Sequence, residues 1–386
     1  MVITSLPTNS SNVSVNPTLL LPSSDSEEFR VVKLFLYAVI FAVSVIGNVL
    51  VCIIVVRHRR MRTITNYFVL NLAVADLAVT CICIPFDIPV QENQYRWPYG
   101  AFLCRTIYPL QTMAMFASIF TLMAVSLNRF CAIVYPFKTH MTKRQAKKII
   151  LGIWALSSML VIPYSFVLRL DEETMSCEEK WPDDVNYRKA YTLSLFLVQY
   201  VIPLSVIAIA YLRIAREMHK CVRQRKTSAS GCHTALKRSQ QMEGKRVVRM
   251  LVVVTVLFAV CVLPNNIMWL WLDFGDGKNY KYFWNMVAVS NIILFANSAA
   301  NPIAYTICHE KFRDEFRRYI YFSCGSKKRG AKIEKSYKSS RSSSYANGLP
   351  FNHPTSCYST ALSSIQLILE SGDLKRKLSR SPETDI

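Results

Sequence analysis

The chain is expected to fold as an all-α integral membrane protein, a seven-transmembrane helix bundle with a short amphipathic eighth helix. Three observations predict this. The 386 residues are 52% hydrophobic yet carry a formal net charge of +21, so apolar and basic residues must be segregated along the chain. Seven runs with few charges reach the roughly 20 residues that a hydrocarbon core about 30 Å thick demands. Lysine and arginine concentrate in alternate loops between those runs. The runs lie near 34–56, 67–89, 102–134, 149–168, 190–214, 247–272 and 283–307. A buried helix of a soluble protein imitates one such run, but not seven in series. The expected domains are therefore an extracellular tail over 1–30, the bundle with its amphipathic helix over 31–322, and a disordered cytoplasmic tail over 323–386.

The first 30 residues lack the basic start, short apolar core and small-residue cleavage site of a removable signal, so the first run is expected to serve as the signal. Asn9 with Ser11 and Asn12 with Ser14 form glycosylation acceptors, consistent with an external tail. Basic stretches follow the first and third runs and bracket the fifth and sixth, which places those loops in the cytoplasm. Loops of the other parity carry acids, including Asp171, Glu178, Glu179 and Asp273. The expected location is the plasma membrane, multi-pass, with the N-terminus outside.

Of twelve cysteines, most of those in the runs read as small buried thiols. Cys104, opening the third run, and Cys177, in the acidic loop after the fourth, lie on the outer side, where an oxidising exterior lets them pair. No zinc-ligand spacing, Gly-rich phosphate loop, nucleophile elbow or paired catalytic carboxylates appear, so no enzyme activity is expected. Nor is nucleic acid expected as a partner.

The runs contain polar residues that lipid tolerates poorly. Asp76 lies mid-run, and an intramembrane carboxylate is a functional-site hypothesis by default. Ser118, Asn297, Ser298 and Asn301 are its candidate partners. Such an oxygen shell suits a small cation such as sodium, the one cofactor-like ion considered. It equally suits a polar core that only joins helices. In the third run, Arg129 follows Asn128 within SLNRFCAIVYPF, a permanent charge at the end of an apolar stretch.

GNVLV from Gly47, NLAVADLAV from Asn71, WPYGAFLC ending at Cys104, SLNRFCAIVYPF from Ser126, Trp154, Pro203 with Tyr211, CVLP from Cys261 and NSAANPIAY from Asn297 occur in that order. In this the chain resembles the rhodopsin-like G-protein-coupled receptors, over roughly 31–322. The resemblance implies a receptor that activates heterotrimeric G proteins through outward movement of its sixth helix. It implies that Arg129 closes against acids at rest and swings inward on activation, with Tyr211 and Tyr305 meeting near it and Asn301 and Pro302 in the switch. Pro203, Ile119 and Phe258 match the connector between ligand pocket and inner end. The chain departs from the family in two places: Asn128 stands where an acid is usual, and Val262 where a tryptophan is usual. The first departure implies a weaker resting lock and appreciable basal signalling.

The resemblance also bears on the ligand. Gln111 is neutral where amine receptors carry an aspartate, Phe295 replaces the retinal-binding lysine, and the short tail leaves no hormone-binding ectodomain. The pattern resembles receptors for amidated Arg-Phe and neuropeptide-Y-like peptides. There the residue matching Gln111 contacts the amidated end and the acid matching Asp273 holds a ligand arginine. Trp269 and Asn291 complete the implied ligand set, while Trp269, Trp271 and Trp284 read either as lining the pocket mouth or as interfacial anchors. A cationic peptide is thus the expected extracellular partner, with acidic loops to steer it. An amine or lipid receptor of the same fold and a seven-span transporter or channel are the alternatives, though no repeated halves are visible.

Beyond the seventh run, EKFRDEFRRYIYF spaces Phe312, Phe316 and Ile320 four apart, an amphipathic helix suited to the inner leaflet and its lipid. Cys324 is a candidate palmitoylation site. The hydroxyl-rich stretch 336–345 is expected to be disordered, and its phosphorylation by receptor kinases to recruit arrestin. The terminal Thr384, Asp385 and Ile386 suit a PDZ groove.

Overall fold

Three of the crossings begin at a side chain that satisfies the free N–H groups of a helix start. Ser26 caps the first span, Thr63 caps the second, and Thr142 closes a reciprocal capping box with Gln145 at the start of the fourth. The computed structural model describes residues 26–135, 141–182, 185–227 and 235–323. Seven helices in it are long and apolar enough to cross a membrane: Glu27–Arg57, Ile64–Glu92, Gly100–Val134, Lys143–Val167, Asn186–Lys220, Gly244–Phe274 and Phe283–Cys308. We refer to them as the first to seventh spans. Asn9, Asn12, Cys324, the hydroxyl-rich stretch and the terminal tripeptide lie outside the described residues.

Proline explains two local changes of helix type. A ring without an N–H cannot continue the ladder and clashes with the preceding turn, and widening to a π turn relieves both. A π turn over Val79–Cys83 precedes Pro85 in the second span, and another over Leu197–Val201 precedes Pro203 in the fifth. At Pro264 in the sixth span and Pro302 in the seventh the helix stays α, with no π turn beside the proline.

Lipid tails are as apolar as leucine, so close backbone approach and hydrogen bonds must hold the spans together. The first and seventh spans meet at Gly47, where a Cβ would stand 2.7 Å from Pro302 Cβ. One residue on, Asn48 Nδ2 donates to the Ser298 carbonyl at 3.0 Å and locks the same crossing. Phe68, Phe116, Ile119, Phe258, Phe295 and Tyr305 fill the bundle interior. Phe35, Leu151, Phe166 and Val260 are exposed on the spans, as a lipid-facing perimeter requires.

At one end, which we call the disulfide end, β1 (Leu168–Asp171) and β2 (Ser176–Glu179) form an antiparallel hairpin with Leu170 opposite Cys177. Cys177 is disulfide-bonded to Cys104 at the start of the third span, as its compartment suggested. The bond anchors β2 over the bundle, and Trp97, Tyr108, Tyr164 and Leu168 pack around it. Asp171 Oδ1 accepts the backbone N–H groups of Glu173 and Thr174 in the hairpin turn, which holds its carboxyl below the ordinary range. At the opposite end, the helix Glu310–Ser323 follows the seventh span. Phe312 and Phe316 on its apolar edge are buried in the bundle core, with the Phe312 ring 5.8 Å from that of Tyr305.

Replacing Gly47 by alanine forces its new methyl group into Pro302, and overpacking of this kind costs about 1–3 kcal/mol. Thermal denaturation of the purified protein in detergent is expected to show a lower midpoint for Gly47→Ala and a larger drop for Gly47→Val. Gly152→Ala, where nothing lies within 4 Å of the added carbon, should leave it unchanged.

Candidate functional site

Polar side chains gather at three levels of the bundle. At the disulfide end the spans enclose a cavity of about 110 Å³. That is well below the roughly 300–1,000 Å³ of typical small-molecule sites. An occupant therefore enters by its tip unless the spans part. Gln111, Trp269 and Asn291 all line it, and Val262, which stands where a tryptophan is usual, lies in the same wall. Trp269 Nε1 donates to Asn265 Oδ1 at 2.9 Å, and Asn265 Nδ2 donates to Asn291 Oδ1 at 2.7 Å, fixing the sixth span against the seventh. Gln111 makes no hydrogen bond to the described residues, so its amide is open to the cavity. Trp284 lines the wall too, whereas Trp271 packs against Tyr280 and Phe283 outside it.

Asp273 is placed differently from the expectation. It is buried behind the cavity wall, where Arg188 Nη2 lies 2.8 Å from its Oδ1 and the Thr192 hydroxyl donates to its Oδ2 at 2.5 Å. Arg188 Nε also stands 3.8 Å from Glu179 Oε2, which accepts the Trp181 indole N–H at 2.8 Å. One arginine thus joins β2, the fifth span and the sixth. Neither Arg188 nor Glu179 was singled out as a site residue from sequence. Glu179 does line the cavity, and its burial pushes its carboxyl above the ordinary range against the opposing effects of Trp181 and Arg188.

Midway through the bundle, Asp76 is buried and its Oδ2 accepts the Asn301 amide at 2.9 Å, with the Ser298 hydroxyl also bonded to the carboxylate. Ser118 and Asn297 are buried at the same level, without a direct bond to Asp76 among the described residues. The Oδ1 atoms of Asn297 and Asn301 are buried acceptors that no donor meets. A carboxylate with spare amide oxygens is the donor set a hard monovalent cation prefers, so the residues fit sodium. Alongside, Trp154 Nε1 donates to Asn71 Oδ1 and Asn71 Nδ2 to the Thr121 hydroxyl, both at 2.8 Å, tying the fourth, second and third spans.

At the far end Arg129 is half-buried and donates to the Thr65 hydroxyl. Among the described residues no carboxylate pairs with it, and its Nε has no partner. Asn128 turns away, its amide 3.7 Å from Met141 Sδ, and the Glu243 side chain lies outside the described residues. Tyr211 and Tyr305 are not joined: the Ser126 and Tyr211 hydroxyls hydrogen-bond at 2.7 Å, while the buried Tyr305 hydroxyl has no partner among the described residues. Between the cavity and this end, Pro203, Ile119 and Phe258 are all buried, the last two within one core.

A membrane bundle with a disulfide-braced cavity at one end and a half-buried arginine at the other has the build of a receptor. The chain belongs to the rhodopsin family of seven-transmembrane receptors: the family described as "7 transmembrane receptor (rhodopsin family)" matches residues 47–305. Neuropeptide FF receptor 1 of Rattus norvegicus is 35% identical over 302 residues, covering 73% of this chain and 68% of that receptor. Neuropeptide FF receptor 2 of Mus musculus is 32% identical over 304 residues, covering 73% and 70%. The protein is accordingly a multi-pass membrane receptor and not an enzyme.

Because the Glu179 carboxyl is raised in the folded protein, it adds stability that is fully present below the ordinary glutamate value and lost as pH rises through the raised one. Thermal midpoints of the purified receptor are expected to fall over that window. In Glu179→Gln, which cannot ionise, this part of the slope should disappear.

Proposed function

We propose that the protein is a plasma-membrane receptor for an extracellular, cationic, amidated neuropeptide, and that it signals through heterotrimeric G proteins. The observation that carries this reading is the likeness to two neuropeptide FF receptors over 73% of the chain. The site's chemistry is consistent with it. The open amide of Gln111 meets the amidated end of the peptide, and the Trp269 and Asn291 chain shapes the wall beside it. Asp273 holds a ligand arginine only after that guanidinium takes the place of Arg188, since both its oxygens are engaged in the protein. In this orientation the N-terminus and disulfide end face outward, with Asn9 and Asn12 available for glycosylation.

Peptide entry parts the spans around a narrow cavity. The motion passes through Ile119, Phe258 and Pro203, and the sixth span moves outward at the Arg129 end. Arg129 then leaves Thr65 for the G protein, and Tyr211 and Tyr305, with Asn301 and Pro302 beneath them, rearrange around it. Asp76, Ser118, Asn297 and Ser298 would hold a sodium ion, which would supply a counter-charge to the buried carboxylate. Receptor kinases and arrestin act on the hydroxyl-rich tail, Cys324 carries a lipid anchor, and the terminal tripeptide offers a PDZ ligand.

The hold on Arg129 at rest is weak by this account. A hydrogen bond to a charged group is worth about 1.5–3 kcal/mol, and Thr65 supplies one in place of a carboxylate pair. Cells expressing the chain are expected to answer a panel of amidated Arg-Phe peptides with a calcium or cyclic-AMP change that Arg129→Ala abolishes. Responses to amines or lipids alone would overturn the peptide reading. Basal signalling should be measurable without ligand and should fall in Asn128→Asp, which supplies the missing counter-charge; an unchanged baseline refutes the weak lock.

A further inference from the structure

Asp87, near the disulfide end of the second span, has no role in anything derived above. Its carboxylate lines the cavity, as does Glu179, whereas Asp273 does not. Its hydrogen-bond partners are neutral. Gln91 Nε2 donates to Oδ2 at 2.7 Å, and the Tyr37 hydroxyl bonds to the same carboxylate. Lys33 acts on it at longer range while its ammonium sits 2.9 Å from Glu92, which Arg30 also engages. Among the described residues no cation is within ion-pair distance of Asp87. On the other acidic wall the situation is reversed, because Arg188 already balances Asp273 and approaches Glu179.

The surroundings of Asp87 are aromatic. Tyr95, Tyr108 and Trp284 line the same cavity, with the Tyr95 and Trp284 rings 4.9 Å apart. Tyr95 and Gln94 are held at φ of 63° and 53°, a left-handed conformation that is costly for residues with a Cβ. Such strain persists where the surroundings over-determine it, and here it turns Tyr95 toward Trp284 at the cavity edge. A half-buried carboxylate that shares a cavity with three aromatic side chains is the chemistry that recognises an ammonium or a guanidinium.

We propose that Asp87, with Tyr95, Tyr108 and Trp284, forms a cation-binding subsite that receives a positively charged group of the ligand directly, without displacing any cation of the protein. This rests on the reading of the protein as a receptor for a cationic peptide and identifies where that charge goes first. Asp273 becomes reachable only by exchange with Arg188, so the two acids differ in kind.

The test is a charge-deletion cycle on full-length receptor in cells, with surface labelling of every variant. The probes are an amidated hexapeptide ending Arg-Phe-NH2, its citrulline analogue at the arginine, and its acetylated analogue at the α-amine. On the unmodified receptor at least one charge deletion is expected to cost about tenfold to a hundredfold in potency. On Asp87→Asn that same deletion should cost nothing, while on Asp273→Asn its cost should persist. Asp87→Glu retains the charge and should retain the dependence, which gives a reading even if the amide variant reaches the surface poorly. If both charge deletions cost Asp87→Asn as much as the unmodified receptor, the subsite is refuted and the peptide reading stands. An unmodified receptor silent to all three probes would overturn both.

Discussion

Hydrocarbon offers no hydrogen-bond partner, and the rest of this structure depends on that constraint. Any polar group taken into the bundle must be met by another part of the protein. The chain places such groups in pairs drawn from different spans. Trp154, Asn71 and Thr121 connect three of them, Asp76 and Asn301 connect two, and Asn48 reaches the Ser298 backbone across a crossing that only glycine at position 47 permits. Individually these bonds are worth about 1 kcal/mol in a bilayer. Together they select one packing among the many that seven interchangeable apolar helices would otherwise adopt.

The same constraint separates structural from available polarity. Groups that join spans are bonded through at least one atom, whereas several buried atoms have no partner among the described residues, including the side-chain oxygens of Asn48, Asn297 and Asn301, the Ser157 and Tyr305 hydroxyls and the Nε atoms of Arg129 and Arg188. Two of them fall at the candidate sites described above, the spare Asn301 oxygen beside Asp76 at mid-bundle and the Arg129 Nε at the far end. Incomplete satisfaction is expensive in a low-dielectric interior, and it persists where the completing partner arrives from outside the chain.

Much of this was legible in the sequence. Seven apolar runs could not be hidden, because each had to be about 20 residues long. The Cys104 and Cys177 pairing followed from sorting cysteines by compartment, and Gln111, Trp269 and Asn291 do face one cavity. What was not legible concerns pairing at a distance. Asp273 reads as an available acid until Arg188, remote in sequence, is seen against it. Asp87 reads as the polar edge of a span, since nothing in IPFDIPVQE says that its side chain turns inward. Two four-residue strands are too short to announce a hairpin.

The Thr65 hydroxyl at Arg129 has a consequence for how the resting state responds to its surroundings. A carboxylate in that place would lose its hold as the bathing solution acidified, and dissolved salt would screen whatever part of the pair met water. An alcohol does not titrate in the physiological range and carries no net charge to be screened. The Thr65 contribution to holding Arg129 therefore has no protonation step of its own and no opposing charge for salt to screen.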